Sequence, residues 1–225
     1  MGMSEEPLIK RQRRIELLIW FGLTLVIASI FLAFLLANLR VRAFLGPPLP
    51  VYGQISDFTL TNQVGQRVRL ADLRGKVWVA DIIFTRCAGP CLKMSRQMMD
   101  LQQSLPANSN ARFVSLTTDP EYDVPAILAT YAQRFRAESN RWLFLTGTKQ
   151  EIASLARDSL KLTAVEKKPE ERDSPVDLFI HSTIFVIVDK RAQLRGVFET
   201  TGEGIDPQKV ATQIQTAIRR LERER

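Results

Sequence analysis

Imidazole and thiol are scarce in this chain, whose 225 residues hold one histidine, His181, and two cysteines, Cys87 and Cys91. A closed structural zinc site generally takes four protein ligands, which that inventory alone does not supply. No internal repeat is visible, and the opening MGMSEEP lacks the Arg- and Ser-rich character of an organellar transit peptide. A strong one-sided charge is also missing: of the net +7, residues 1–42 account for +3 through six basic and three acidic groups, leaving +4 for the rest. Basic and acidic residues are mixed there, as in the C-terminal RRLERER, which reads as a solvated helix face and not as a nucleic-acid surface.

What is present is a globular composition, 45% hydrophobic and 24% charged, with length for one domain and an appendage. From Leu17 to Ala37 no charge occurs. About 20 helical residues cross a bilayer core of roughly 30 Å, so this run predicts one transmembrane helix, 17–39. A cleaved signal peptide has a shorter apolar core of roughly 7 to 15 residues. Lys10, Arg11, Arg13 and Arg14 before the helix outweigh Arg40 and Arg42 after it. The positive-inside rule therefore predicts a cytoplasmic tail, 1–16, with everything downstream exported across a bacterial inner membrane. Gly46, Pro47, Pro48 and Pro50 predict a stiff linker over 40–50, followed by one domain, 51–225.

Within that domain, apolar alternation at 58–60 and 68–70 around Asn62-Gln63-Val64-Gly65 predicts a hairpin. KVWVADIIF, 76–84, is too continuously apolar for a surface strand and short for a helix, so it predicts a buried strand. A helical stripe over 91–105 ends at Pro106; a strand at 111–118, a helix at 124–135, a strand at 142–145 and a short helix at 150–159 follow. Residues 163–178, charged and containing Pro169 and Pro175, read as a mobile surface loop. A strand at 182–188, a partner at 195–199 and a helix opened by Asp206-Pro207 close the chain. This order predicts an α/β, thioredoxin-like sandwich: a central mixed sheet flanked by helices, with an N-terminal β-hairpin extension.

The chemistry gathers at FTRCAGPCLKM, where the cysteines stand at a strand-to-helix junction. There the N-terminal dipole of the helix is expected to lower the Cys91 thiol pKa. A purely structural disulfide would close a five-residue loop and contribute only about 2 kcal/mol. Thiol-disulfide exchange is the stronger rival, although the spacing is C-x-x-x-C and not C-x-x-C, and Ile180-His181-Ser182-Thr183 lacks the cis-proline that faces a thioredoxin pair. If the fold is thioredoxin-like, His181 faces the two cysteines across the junction. Two thiolates and an imidazole form a soft set suited to Cu(I) and, with a further oxygen donor, to Cu(II). Met94, Met98 and Met99 follow the helical stripe and read as core filling.

FTLTNQVGQRVRLADLRGKVWVADIIFTRCAGPC, LTTDPEYDVPAILATY and HSTIFVIVDK together resemble the Sco/SenC copper proteins over most of the chain after the linker. The resemblance implies Cys87, Cys91 and His181 as copper ligands, with Asp119 and Asp123 in an acidic segment flanking the site. It implies a metallochaperone for the dinuclear copper centre of cytochrome c oxidase. Its partners would be the oxidase subunit carrying that centre, other copper carriers or thiol reductants, and the membrane. A reductase acting on the client's cysteines, or a copper or redox sensor, stands on the same residues. Ala88 and Leu92 occupy positions where the family usually has proline, a change to the backbone of the ligand loop and not to its donors.

Overall fold

A computed structural model describes residues 6–45, 48–87, 89–166, 168, 170 and 179–224. It divides into one unit ending at Pro48 and a second, Leu49–Arg225.

The first unit is a single helix, α1 (Glu6–Leu45), in which Glu16–Ala37 is long and apolar enough to cross a membrane, with a mean hydropathy of 2.5. The helix runs through residues 40–45, where a linker was expected. Neither proline nor glycine occurs between Arg40 and Leu45 to interrupt its hydrogen bonding. Of the expected linker, Gly46 and Pro47 lie outside the described residues.

The second unit is built on an eight-stranded mixed sheet of order β1-β10-β9-β4-β5-β6-β2-β3. Its strands are β1 (Gly53–Gln54), β2 (Thr59–Asn62), β3 (Arg67–Arg69), β4 (Trp78–Ile83), β5 (Arg112–Thr117), β6 (Trp142–Thr146), β9 (Ile184–Val188) and β10 (Gln193–Glu199). β4 is parallel to β5 and antiparallel to β9, and every residue of β4 is buried, as its run of apolar residues, interrupted by Asp81 alone, requires. Alternate residues of a strand face opposite sides, so β4 feeds two cores. Val79 and Ile83 join Phe113, Trp142 and Phe144 beneath α3 (Pro90–Ser104), α4 (Pro125–Arg134) and α6 (Pro207–Arg223). Trp78, Ala80 and Ile82 join Leu60, Leu145 and Leu194 on the other face, under α2 (Leu70–Leu73) and α5 (Lys149–Ala153). Met94 and Met98 are wholly buried in the first core, with Met99 packed against it.

The β2–β3 hairpin forms where expected. Asn62 Oδ1 accepts from the Val64 and Gln66 amides at 3.0 and 2.8 Å, and Gly65 supplies the positive φ of 79° that closes the turn. Three details differ from the sequence reading. The helix expected over 150–159 is α5, held by a Thr148/Glu151 capping box, followed by a π-helical stretch, Ser154–Ser159, in which the Leu160 amide reaches back to Leu155 O. The strand expected from Ser182 starts at Ile184. Part of the expected 163–178 loop is strand: β7 (Ala164–Glu166) pairs antiparallel with β8 (Phe179–His181), where backbone groups satisfy one another. Residues 171–178 lie outside the described set.

Candidate functional site

β4 ends at Ile83, and the chain turns at once, the Cys87 amide donating to Phe84 O at 3.1 Å. Gly89 then caps α3 and Pro90 occupies its first turn, where a missing N–H costs nothing. Cys91, the second residue of α3, is fully buried, and Cys87 is 8% exposed. Both are thiols, hydrogen-bonded to each other.

That pairing overturns the expectation of an acidified thiol. The hydrogen bond to Cys87, burial and the Cys87 charge drive the Cys91 pKa far above its ordinary value, and the field of Asp81 adds to this. A backbone hydrogen bond involving Phe84 opposes the shift without reversing it. A helix N-terminus lowers a thiol pKa by way of its unpaired N–H groups; here a second sulfur and the loss of water outweigh it. Ionising Cys91 therefore calls for a new positive charge beside it, which a bound cation provides.

Asp81 escaped the sequence reading, although a carboxylate inside an apolar strand was the available signal. It is wholly buried, on the β4 face shared by Val79 and Ile83. Next to it on β5 is Ser115, whose Oγ accepts from Trp142 Nε1 at 3.0 Å. Ser95 Oγ and Tyr131 Oη lie 3.0 Å apart in the same layer. Burial raises the Tyr131 pKa, helped by the charges of Cys91 and Asp81. A polar seam thus underlies the thiols inside an otherwise apolar core.

The loop carrying Cys87 is fastened to the end of β5. Asp123, wholly buried, accepts from the Thr85 amide at 3.1 Å and from the hydroxyls of Thr85 and Thr117. Burial raises the Asp123 pKa, with those donors pulling the other way. Arg86 forms an ion pair with Asp119 and stacks its guanidinium 4.1 Å from the Tyr122 ring centroid. Thr85, Arg86, Thr117 and Tyr122 lie within the motifs quoted from the sequence but were not singled out there as site residues. Asp119 and Asp123 were expected to flank the site; in the structure they hold Arg86 and Thr85, in the loop that carries Cys87.

His181 is the last residue of β8, paired with Ala164. β9 runs antiparallel to β4, with Ala80 opposite Val186, so the backbone of His181, three residues before Ile184, lies toward the end of the sheet from which Cys87 emerges. Its side chain is outside the described set. Among the described residues no three His, Cys, Asp or Glu side chains are grouped to hold a metal. Two adjacent soft donors sheltered from water suit a soft cation better than a hard one.

Residues 52–219 match the SCO1/SenC family model. The chain belongs to that family. It is 40% identical over 141 residues to an SCO1 homologue of Bacillus subtilis, covering 62% of this chain and 70% of that protein. The human mitochondrial SCO1 homologue is 26% identical over 165 residues, of which the chain spans about half the length, 52%. The structure of BsSco, described with a disulfide switch and as a member of the Sco family of cytochrome c oxidase assembly proteins, superposes with TM-score 0.62 at 32% identity, covering 77% of this chain and 98% of that one. Bradyrhizobium japonicum ScoI, solved with copper bound, shares the fold at TM-score 0.59 and 20% identity, covering 74% and 98%. The fold is accordingly the thioredoxin-like α/β fold of Sco proteins, its mixed sheet flanked by helices.

Proposed function

We propose that this protein is a membrane-anchored copper carrier that binds the metal through Cys87, Cys91 and His181 and passes it to the cytochrome c oxidase subunit bearing the dinuclear copper site. The observation that carries the reading is the pair of buried, mutually hydrogen-bonded thiols at the end of β4, in a family whose members include proteins crystallised with copper. α1 would serve as a single-pass anchor in a bacterial inner membrane, its N-terminus cytoplasmic and residues 51–225 on the outer side. Copper, the cargo, is taken up as the thiols lose their protons. A three-donor set leaves an opening for an incoming ligand, so release proceeds by exchange onto the client's cysteines without covalent chemistry.

The test is copper titration of the reduced full chain in detergent, with spectroscopy on C87S, C91S and H181A. Each variant is expected to lose the copper signal. Since thiol protons must leave, apparent affinity should rise with pH by roughly tenfold per unit for each proton released. Retention of full affinity in H181A would defeat the three-ligand site.

The contact between the sulfurs also supports a thiol-disulfide reductase, in which one cysteine attacks a client disulfide and the other resolves the mixed disulfide. H181A separates the readings, because a reductase keeps most of its exchange rate in that variant while a copper carrier loses its cargo.

A further inference from the structure

At the end of the sheet opposite the thiols, three buried N–H donors have no hydrogen-bond partner among the described residues: Nε1 of Trp78, and Nε and Nη2 of Arg141. They belong to one row. Trp78 of β4 is the cross-strand partner of Arg112 of β5, and Phe113, next along β5, donates its amide to the Arg141 carbonyl at 2.8 Å. Phe113 and Trp142 face the core beneath α3, whereas Trp78 and Val114 face the other. By strand alternation Arg112 shares the face of Trp78, and Arg141, the turn residue immediately before Trp142, is near enough to Arg112 for its charge to act there.

The row is rich in positive charge and poor in counter-charge. Arg112 Nη1 donates to Asn110 O and Ala111 O at 3.2 and 3.1 Å, which holds the guanidinium in place without neutralising it. The carboxylate paired with Arg141 is Glu138, 3.9 Å from Nη1, on a side chain 54% exposed. Arg141 itself is 14% exposed. Burial lowers the pKa of Arg112 and the nearby charge of Arg141 lowers it further, as expected of two cations sharing a site. Buried donors left unpaired are costly, and two guanidinium groups with an indole N–H make a donor array that a tetrahedral oxyanion matches through charge-assisted, forked hydrogen bonds.

We propose that Trp78, Arg112 and Arg141 form a binding site for a phosphate-class oxyanion, either dissolved phosphate or the headgroup of an anionic phospholipid. The same row continues through Val188 and Leu194 to Gly53, so the site lies at the end of the sheet where residues 49–53 join the domain. It is separate from the thiols and independent of the copper reading.

The test uses the full chain in maltoside micelles, which contain no phosphate, titrated with sodium phosphate while tryptophan emission is followed. A saturable change is expected, absent with sodium chloride at matched ionic strength. Its midpoint should move at least tenfold higher in R141M and in R112Q, while the number of thiols titrated stays at two. R112Q, altering a half-buried side chain, carries the test should R141M fail to fold. A second arm repeats the titration in nanodiscs containing phosphatidylglycerol. Loss of the phosphate response there identifies the headgroup as occupant; its persistence identifies the dissolved anion. No saturable response in micelles, a response reproduced by chloride, or a midpoint unchanged in R112Q would overturn the site.

Discussion

Two Arg–Asp pairs stand at different places in the domain, and the protein uses them for different ends. Arg195 and Asp189 are 7% and 6% exposed; Arg195 Nη1 lies 2.6 Å from Asp189 and 2.9 Å from Glu224, and Nη2 donates to Leu49 O at 2.9 Å. One side chain thus binds the β9–β10 turn, the C-terminal residues and the first residue of the unit. Arg86, 38% exposed, pairs with Asp119 beside Cys87 and covers Tyr122. The buried pair has several partners and no water to replace them, whereas the second sits at the lip of the thiol loop, where water competes for it. Stability is concentrated in the first, and adjustability is left to the second.

The comparison breaks most readily at Arg195. Removing one member of a buried pair strands the other, so R195M is expected to lower unfolding stability by about 3–5 kcal/mol in denaturant titration, leaving the copper stoichiometry of the folded fraction unchanged. Next comes Gly196, at the bulge that lies between Leu194 and Gly196 in the register with β9. A Cβ there would meet Ile187 Cγ2 at 2.8 Å and Phe198 Cε2 at 2.9 Å, so G196A should cost about 1–3 kcal/mol by the same measurement. On the thiol side, D123A removes the acceptor of Thr85 and Thr117 and should cost about 1–2 kcal/mol, with faster alkylation of Cys87 as its loop loosens. R86A should cost no more than about 1 kcal/mol while changing copper exchange rates. Should R86A destabilise as much as R195M, the two pairs do not differ in the way described.

Asp123 also predicts a pH signature. Its folded-state pKa is raised from 3.8, so the native state holds a proton that the unfolded chain has released. The associated stabilisation is complete below that unfolded value and is lost as pH rises through the folded one. Unfolding free energy measured upward from about pH 3.8 should carry a falling contribution that D123N abolishes; an identical slope in D123N would assign it elsewhere.

The order of elements was legible because burial sets the pattern. β4, buried on both faces, had to be apolar apart from Asp81, and the period of α3 placed Met94 and Met98 inward. The pair of cysteines was legible from its spacing and its junction. The sulfur protonation was not, because a helix terminus is visible in sequence, whereas the contact between two thiols appears only on folding. Arg86 and Thr85 escaped for a similar reason: their partners, Asp119 and Asp123, lie more than thirty positions away. The β7–β8 pairing was hidden by charge and proline in the segment between its strands.

Both borders of the eight-stranded sheet are blunted. One is β1, two residues long, and the other is β3, three residues with exposed arginines at either end. Such borders offer a neighbouring chain little backbone to extend. At high local concentration, copies of this protein can collide repeatedly without being captured into shared sheets, and each remains separately available for its next encounter.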